Sequence, residues 1–371
     1  MTPITIIMLT FSLLGIIDLI IGNKFGLGEQ FERGIMLLGP MAMSMIGMLV
    51  LAPLIAHVLQ PVVGWITTII PMEPSVIPSM ILANDMGGAP LAMEFASNDE
   101  IGYFNGLIVA AMMGATVSFT LPFALGVVKK EQHESLLLGL LCGIVMVPIG
   151  CLATGLIMTL PIKDLLATII PLFLFAGILA VGLFMFPYAC LKVFKVFGAG
   201  IKILILIGFG IGIFEALTGL DLVPYTAPIS EGFNICANAA MVLSGAFPLV
   251  YILSKVLEKP MKAVSRKLGI NSTSALGLLS TLATCVTAFS NMKEMDEKGA
   301  MLNSAFSVSA AFVFGGHLAF TLSFNAEYVV GMIIGKLIAG FGALFVAALL
   351  YKFLLTKKQK GGASTQVETE D

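Results

Sequence analysis

Between Ile4 and Leu355 the chain is cut into apolar runs, each long enough for a helix to cross the hydrocarbon core of a bilayer. That pattern leaves few folds open. A crossing helix needs about 20 mostly apolar residues, and in lipid every backbone N–H and C=O must be satisfied inside the protein. Spans are expected at Ile4–Ile21, Ile35–Leu59, Asn105–Val128, Ser135–Met158, Leu165–Pro187, Ile201–Leu220, Glu231–Leu257, Asn303–Phe324 and Tyr328–Leu355. Charge agrees: 11% of the 371 residues are charged, where a soluble domain carries about 25%. The chain reads as an all-α polytopic membrane protein of about nine transmembrane helices. A net charge of -2 leaves no basic domain for nucleic acid. The first run lacks a basic n-region and a cleavage site before Asn23-Lys24, so it reads as a retained span rather than a signal peptide. Five cysteines stand singly, which argues against a disulfide framework or a zinc site, and no cofactor is expected.

Two apolar stretches, 61–97 and 271–295, do not fit as simple spans. The first contains PMEPSVIPSMILANDMGGAP, which gathers four prolines, two glycines, Glu73, Asn84 and Asp85. Cations in short loops give the orientation. Lys129-Lys130, Lys192 to Lys202, Lys255 to Lys267 and Lys352 to Lys360 mark the cytoplasmic side, with a cytoplasmic C-terminus. Two full spans then separate Asn271 from that terminus, so 271–295 must enter and leave on the same side, as a re-entrant hairpin. The alternative is an ordinary span with the basic tail outside. The same count run backward makes 61–97 a hairpin entering from outside. Pro71, Pro74 and Pro78 are expected at its turn, with Glu73 at the tip, and Gly87-Gly88 and Pro90 breaking its second half. Irregular backbone at membrane depth is tolerated where protein or a water-filled cavity covers it, and transporters build binding sites from such breaks.

Internal similarity supports this plan. Asp99-Glu100-Ile101-Gly102, Asn105 and Phe119–Phe123 match Asp296-Glu297-Lys298-Gly299, Asn303 and Phe320–Phe324 in order and character. Leu82-Ala83-Asn84-Asp85 matches Leu282-Ala283-Thr284-Cys285 more weakly. The expected domains are 1–159, a first transmembrane repeat with hairpin 61–97; 160–198, a linker span; 199–355, a second repeat with hairpin 271–295; and 356–371, a disordered cytoplasmic tail. An odd number of spans separates matching elements, which makes the repeats inverted. The architecture is elevator-like by analogy, and such carriers are often homo-oligomers.

Ionisable groups inside a membrane are costly and functional by default. Asp85, beside Asn84 and just before Gly87-Gly88, suits a small ligand bearing an ammonium and a hydroxyl: the carboxylate takes the charge, the amide and free carbonyls the remaining donors. A loop held by Asn and Asp side chains is the plainer alternative. Glu94 faces the same cavity or sits at the interface. Glu73 lines the entry or pairs with a cation. Asn291 is the polar end of the second hairpin. Glu231 and Asn234, with Asn238, share one helical face, as a lined cavity or a simple helix cap. Asp18, Glu215, His317 and Lys336 stand alone in spans, His317 more readily structural than functional, and Lys336 with Asp18 or Glu215 as its partner. No GxxxxGK[ST], HExxH or GxSxG occurs, which argues against an ATP-driven pump and against an enzyme.

The stretches SVIPSMILANDMGGAPLAMEFA and FSNMKEMDEKGAMLNSAFSVSAAFVFGGHLAF resemble the ethanolamine utilisation membrane protein family EutH. The resemblance covers most of the chain up to the polar tail. It implies a multi-pass protein of the bacterial inner membrane, a transporter or facilitator for ethanolamine, working beside an ammonia-lyase pathway carried by other proteins. Ethanolamine, a small cation with one hydroxyl, fits the carboxylate and amide of Asp85 and Asn84. A channel-like pore for a small amine is the alternative, and an intramembrane enzyme a more distant one.

Overall fold

The computed structural model describes residues 3–367, which form helices and no strand. In chain order these are α1 (Pro3–Ile20), α2 (Leu27–Met36), α3 (Leu38–Ile69), α4 (Val76–Ile81), α5 (Gly88–Phe95), α6 (Asp99–Phe104), α7 (Leu121–Val127), α8 (His133–Ile157), α9 (Ile162–Met185), α10 (Pro187–Thr218), α11 (Ile229–Leu268), α12 (Ser272–Thr281), α13 (Cys285–Ser290), α14 (Glu297–Ala310), α15 (Gly316–Phe324) and α16 (Val329–Val367). Between α6 and α7 the chain continues as a single span, wound in the wider turns of a π-helix over Asn105–Gly114 and Thr116–Thr120. Eight segments among the described residues are long and apolar enough to cross a membrane. The ninth expected span, Asn303–Phe324, is interrupted: α14 stops at Ala310, Phe312 takes a left-handed conformation (φ 63°), and α15 begins at Gly316. The expected disordered tail, 356–371, is helical as far as Val367, and 368–371 lie outside the described residues.

Residues 61–69, expected in the first hairpin, instead finish α3, since Pro61 is accommodated inside that helix; the rest of that stretch, and 271–295, each form a helix, a break and a second helix whose open ends meet. In the first, Glu73 is buried and accepts hydrogen bonds from Ser75 Oγ (3.1 Å), Ser97 N (2.9 Å) and Ser97 Oγ (2.7 Å). This clamps the start of α4 to the end of α5. In the second, Asp296 accepts from Asn271 N (2.8 Å) and Ser274 Oγ (2.7 Å), and Asn271 Nδ2 donates to Glu294 O (2.8 Å). The turn of the first pair falls at Leu82–Gly87, not at Pro71–Pro78, so Glu73 sits at the open end rather than the tip. Pro78 and Pro90 lie in the first turns of α4 and α5, where the missing N–H is no loss, and Pro90 breaks nothing.

The two halves repeat one set of contacts. Asn98 Oδ1 caps α6 through Ile101 N, and Asp296 Oδ2 caps α14 through Gly299 N, each at 3.1 Å. The capping register therefore sets Asn98, not Asp99, opposite Asp296. Seven residues after each cap, Asn105 Nδ2 reaches Ser75 Oγ (2.8 Å) and Asn303 Nδ2 reaches Ser274 O (2.8 Å), each tying a span to the start of its own helix pair.

The helices sort into two groups by where backbones approach closely. Gly47 packs on Ile205 O and Gly208 on Gly47 O, joining α3 to α10. Gly245 on Met8 O and Gly34 on the backbone of Leu243 and Ser244 join α1 and α2 to α11. In the other group, Gly139 and Gly143 of α8 face Met301 O and Ala305 O of α14, and a Cβ on Gly150 would stand 2.8 Å from Gly335 O of α16. With the hydrophobic effect largely absent between lipid-solvated helices, small residues that admit such contact supply much of the packing. The span 99–127 is the most enclosed of the eight, being largely buried inside the protein, and both helix pairs pack near it.

Candidate functional site

The first break is a single 3-10 turn. Leu82 leaves α4 in an extended conformation, Ala83 O accepts from Met86 N (3.0 Å) and Gly88 N (2.8 Å), and Gly87 closes the turn at φ 105°. Only glycine adopts that φ without strain. The second break is Leu282–Thr284, where Thr284 Oγ1 caps α13 through Val286 N (3.2 Å). The third is Ala311–Gly315. The last two are stitched together by backbone: Phe312 N donates to Thr281 O (3.2 Å) and Phe314 N to Leu282 O (2.8 Å). Gly315 lies against Ala283 O, where a side chain would collide. A Cβ on Gly316 would stand 3.9 Å from Asp85 Oδ2, so the first break meets the other two at that carboxylate.

These breaks bound a cavity of about 540 Å³. Asp85, Ser280, Thr284, Thr287, Phe312 and Gly316 line one wall. The other wall belongs to the opposite helix group, through Arg33 of α2 and Phe247, Tyr251 and Ser254 of α11. Arg33 and Lys255 are held over aromatic rings, Phe247 at 5.4 Å and Tyr251 at 4.3 Å. Asp85 is half-buried, and no neighbouring side chain among the described residues pairs with its carboxylate. An anionic group at the end of a cavity, flanked by hydroxyls and a ring face, can bind a small cation that also carries a hydrogen-bonding group.

The remaining expected site residues go elsewhere. Asn84 points away from the cavity, is fully buried, and neither its Nδ2 nor its Oδ1 has a partner. In a 3-10 turn successive side chains point about 120° apart, which separates it from Asp85. Glu73 is the clamp described above and is not among the residues that line this cavity. Glu94, at the far end of α5, is exposed and lines a different cavity of about 300 Å³ with His57 and Tyr225, whose rings stack at 4.2 Å. Glu231 and Asn234 lie on an exposed face of α11, with Asn238. Asn291 is exposed at the end of α13. Asp18 caps α2, accepting from Phe25 N (3.0 Å), Leu27 N (2.7 Å) and Gly28 N (3.1 Å). Glu215 holds the loop after α10 through Leu222 N, Val223 N and Thr226 Oγ1. Neither meets Lys336, whose Nζ instead reaches Ala111 O (2.5 Å) and His317 Nδ1 (3.1 Å). Thr284 and Ser280 were not expected at the site, although the weak match of residues 82–85 to 282–285 aligned the two breaks.

Residues 2–350 match the family of the ethanolamine utilisation protein EutH. The chain belongs to the EutH family. It is 42% identical over 362 residues to the probable ethanolamine permease EutH of Listeria monocytogenes serotype 1/2a (strain 10403S), covering 98% of this chain and 97% of that one. It is 36% identical to the uncharacterized protein YxeR of Bacillus subtilis (strain 168), over 96% of both chains. To the probable ethanolamine permease EutH of Salmonella typhimurium (strain LT2) it is 36% identical, over 93% of this chain and 94% of that one. No solved structure matches the chain. In this EutH-family chain, the resemblance drawn from residues around 75–97 and 289–320 therefore extends along nearly the whole length.

Proposed function

We propose that the chain carries ethanolamine, as its ammonium ion, across the bacterial inner membrane, with Asp85 as the residue that takes the charge. The carrying observation is the unpaired Asp85 carboxylate at the end of a cavity where three backbone breaks converge. The hydroxyls of Ser280, Thr284 and Thr287 suit the hydroxyl and remaining ammonium hydrogens. The names of the Listeria and Salmonella relatives agree with this substrate. In this reading the helix pairs α4–α5 and α12–α13 are re-entrant hairpins, one from each side, within inverted repeats joined by α9. The matching contacts of Asn105 and Asn303 support it. Arg33 and Lys255 mark the cavity mouth as cytoplasmic by the positive-inside rule, and the Glu94 vestibule then faces outward.

A carrier fits better than a pore. The inward cavity and the outward vestibule are separate and lie at opposite ends of α5, about 12 Å apart by helix rise. The inward cavity lies between two helix groups, where an elevator-type movement of one against the other would open it to the opposite side. Unlabelled ethanolamine loaded inside proteoliposomes should accelerate entry of labelled ethanolamine severalfold. Entry that saturates but shows no such acceleration would favour a pore, and no entry at all would remove ethanolamine as the substrate.

A further inference from the structure

Lys336 is the buried cation that the transport reading leaves without a role. It lies on α16 with 1% of its surface exposed, and among the described residues no other lysine or arginine is buried. Its Nζ donates to Ala111 O (2.5 Å), on the π-wound span, and to His317 Nδ1 (3.1 Å), on α15. An ammonium has only hydrogens to give, so Nδ1 accepts and His317 is the neutral tautomer carrying its proton on Nε2. Among the described residues no carboxylate lies within 4.0 Å of Nζ. A buried ammonium in that position is costly without a counter-charge. The titratable groups that face it are His317 of α15, Asp85 of the first break, Cys285 of α13 and Cys151 of α8. Asp85 is the one carboxylate among them, and Gly316, which abuts it, is the residue just before His317.

One carboxylate therefore serves two cations. Asp85 lies beyond ion-pair distance and is the one carboxylate whose charge acts on the Lys336 ammonium. With an alkylammonium against Asp85, a single negative charge faces two positive ones at low dielectric, where like charges repel strongly. Lysine is the cationic side chain able to relieve this by giving up its proton when buried, which arginine does not do. We propose that Lys336 is a proton-exchange site: each alkylammonium that arrives at Asp85 expels one proton from Lys336, and the proton returns when the alkylammonium leaves. The Nζ–H bond breaks, the electron pair stays on nitrogen, and the proton departs through the hydrogen bond to His317 to water. One positive charge enters as another leaves, so cation uptake is electroneutral. This inference rests on the assignment of Asp85 as the ammonium site.

The test is labelled ethanolamine uptake into proteoliposomes at clamped pH, with and without a membrane potential set by potassium and valinomycin. Wild type should accumulate the amine to the same level at either potential. Lys336→Gln has no proton to exchange, so its uptake should become driven by an interior-negative potential, with accumulation rising about 50-fold per 100 mV, the Boltzmann factor for one charge. Lys336→Arg keeps the charge but holds its proton, and should lose at least about tenfold in uptake rate at unchanged membrane insertion. Potential-driven accumulation by wild type would overturn the exchange while leaving Asp85 as the binding residue. Potential-independent uptake by Lys336→Gln would overturn it also, since the neutral amine would then be the travelling species. Should Lys336→Gln not insert, the wild-type response and the arginine variant decide the matter. Absence of uptake by wild type would overturn the transport reading and this inference together.

Discussion

At the scale of single residues, the site depends on a backbone that few side chains permit. Gly87 holds φ 105°, and a Cβ there would run into the side chain of Met48. Gly87→Ala should cost about 2 kcal/mol from the backbone strain alone, read as a lower thermal midpoint in detergent, and should depress uptake by turning Asp85 out of the cavity. Unchanged midpoint and uptake would mean the turn is not held as described. Asp85 was legible as a cavity-lining residue because a carboxylate in an apolar run, just before two glycines, needs a polar surrounding. Asn84 was misjudged because sequence gives adjacency and not direction, and in a 3-10 turn adjacent side chains part. Ser280 and Thr284 carried no signal of their own, since hydroxyls are cheap on any buried helix where they bond back to the chain. Arg33, which lines the cavity, drew no expectation from the sequence.

Among elements, the two helix pairs are held shut by carboxylates at their open ends, Glu73 in one and Asp296 in the other. Glu73 accepts three hydrogen bonds while 5% exposed. Glu73→Ala leaves the Ser97 donors unmatched and should destabilise the protein by about 3 kcal/mol, measured by thermal unfolding in detergent. A change below about 0.5 kcal/mol would show that the clamp carries little. Both pairs were legible as segments too broken to be spans, but their turns were not. Prolines drew the expected tip to Pro71–Pro78, whereas proline in a first turn is compatible with a helix, and the real break needed glycine. The break inside Asn303–Phe324 escaped because that stretch, although richer in serine than the continuous spans, is long and mostly apolar. Its cause lies in distant backbone at Thr281 and Leu282, which offers carbonyls to Phe312 and Phe314.

Across the whole molecule, composition and apolar periodicity specified a polytopic helical protein, and a polar residue pattern repeated across the halves marked matching capping sites. What sequence did not convey was the partition into two helix groups, because that depends on which glycines meet which carbonyls. The cavity lies between those groups and takes one wall from each. The most direct measurement is uptake of labelled ethanolamine by proteoliposomes of wild type, Asp85→Asn and Asp85→Glu, normalised to inserted protein. Removing the charged partner of a desolvated ammonium costs about 2–5 kcal/mol, so Asp85→Asn should lose about 30-fold or more in uptake at limiting substrate, with Asp85→Glu retaining part of it. Wild-type uptake by Asp85→Asn would contradict the account and move the ammonium site away from Asp85.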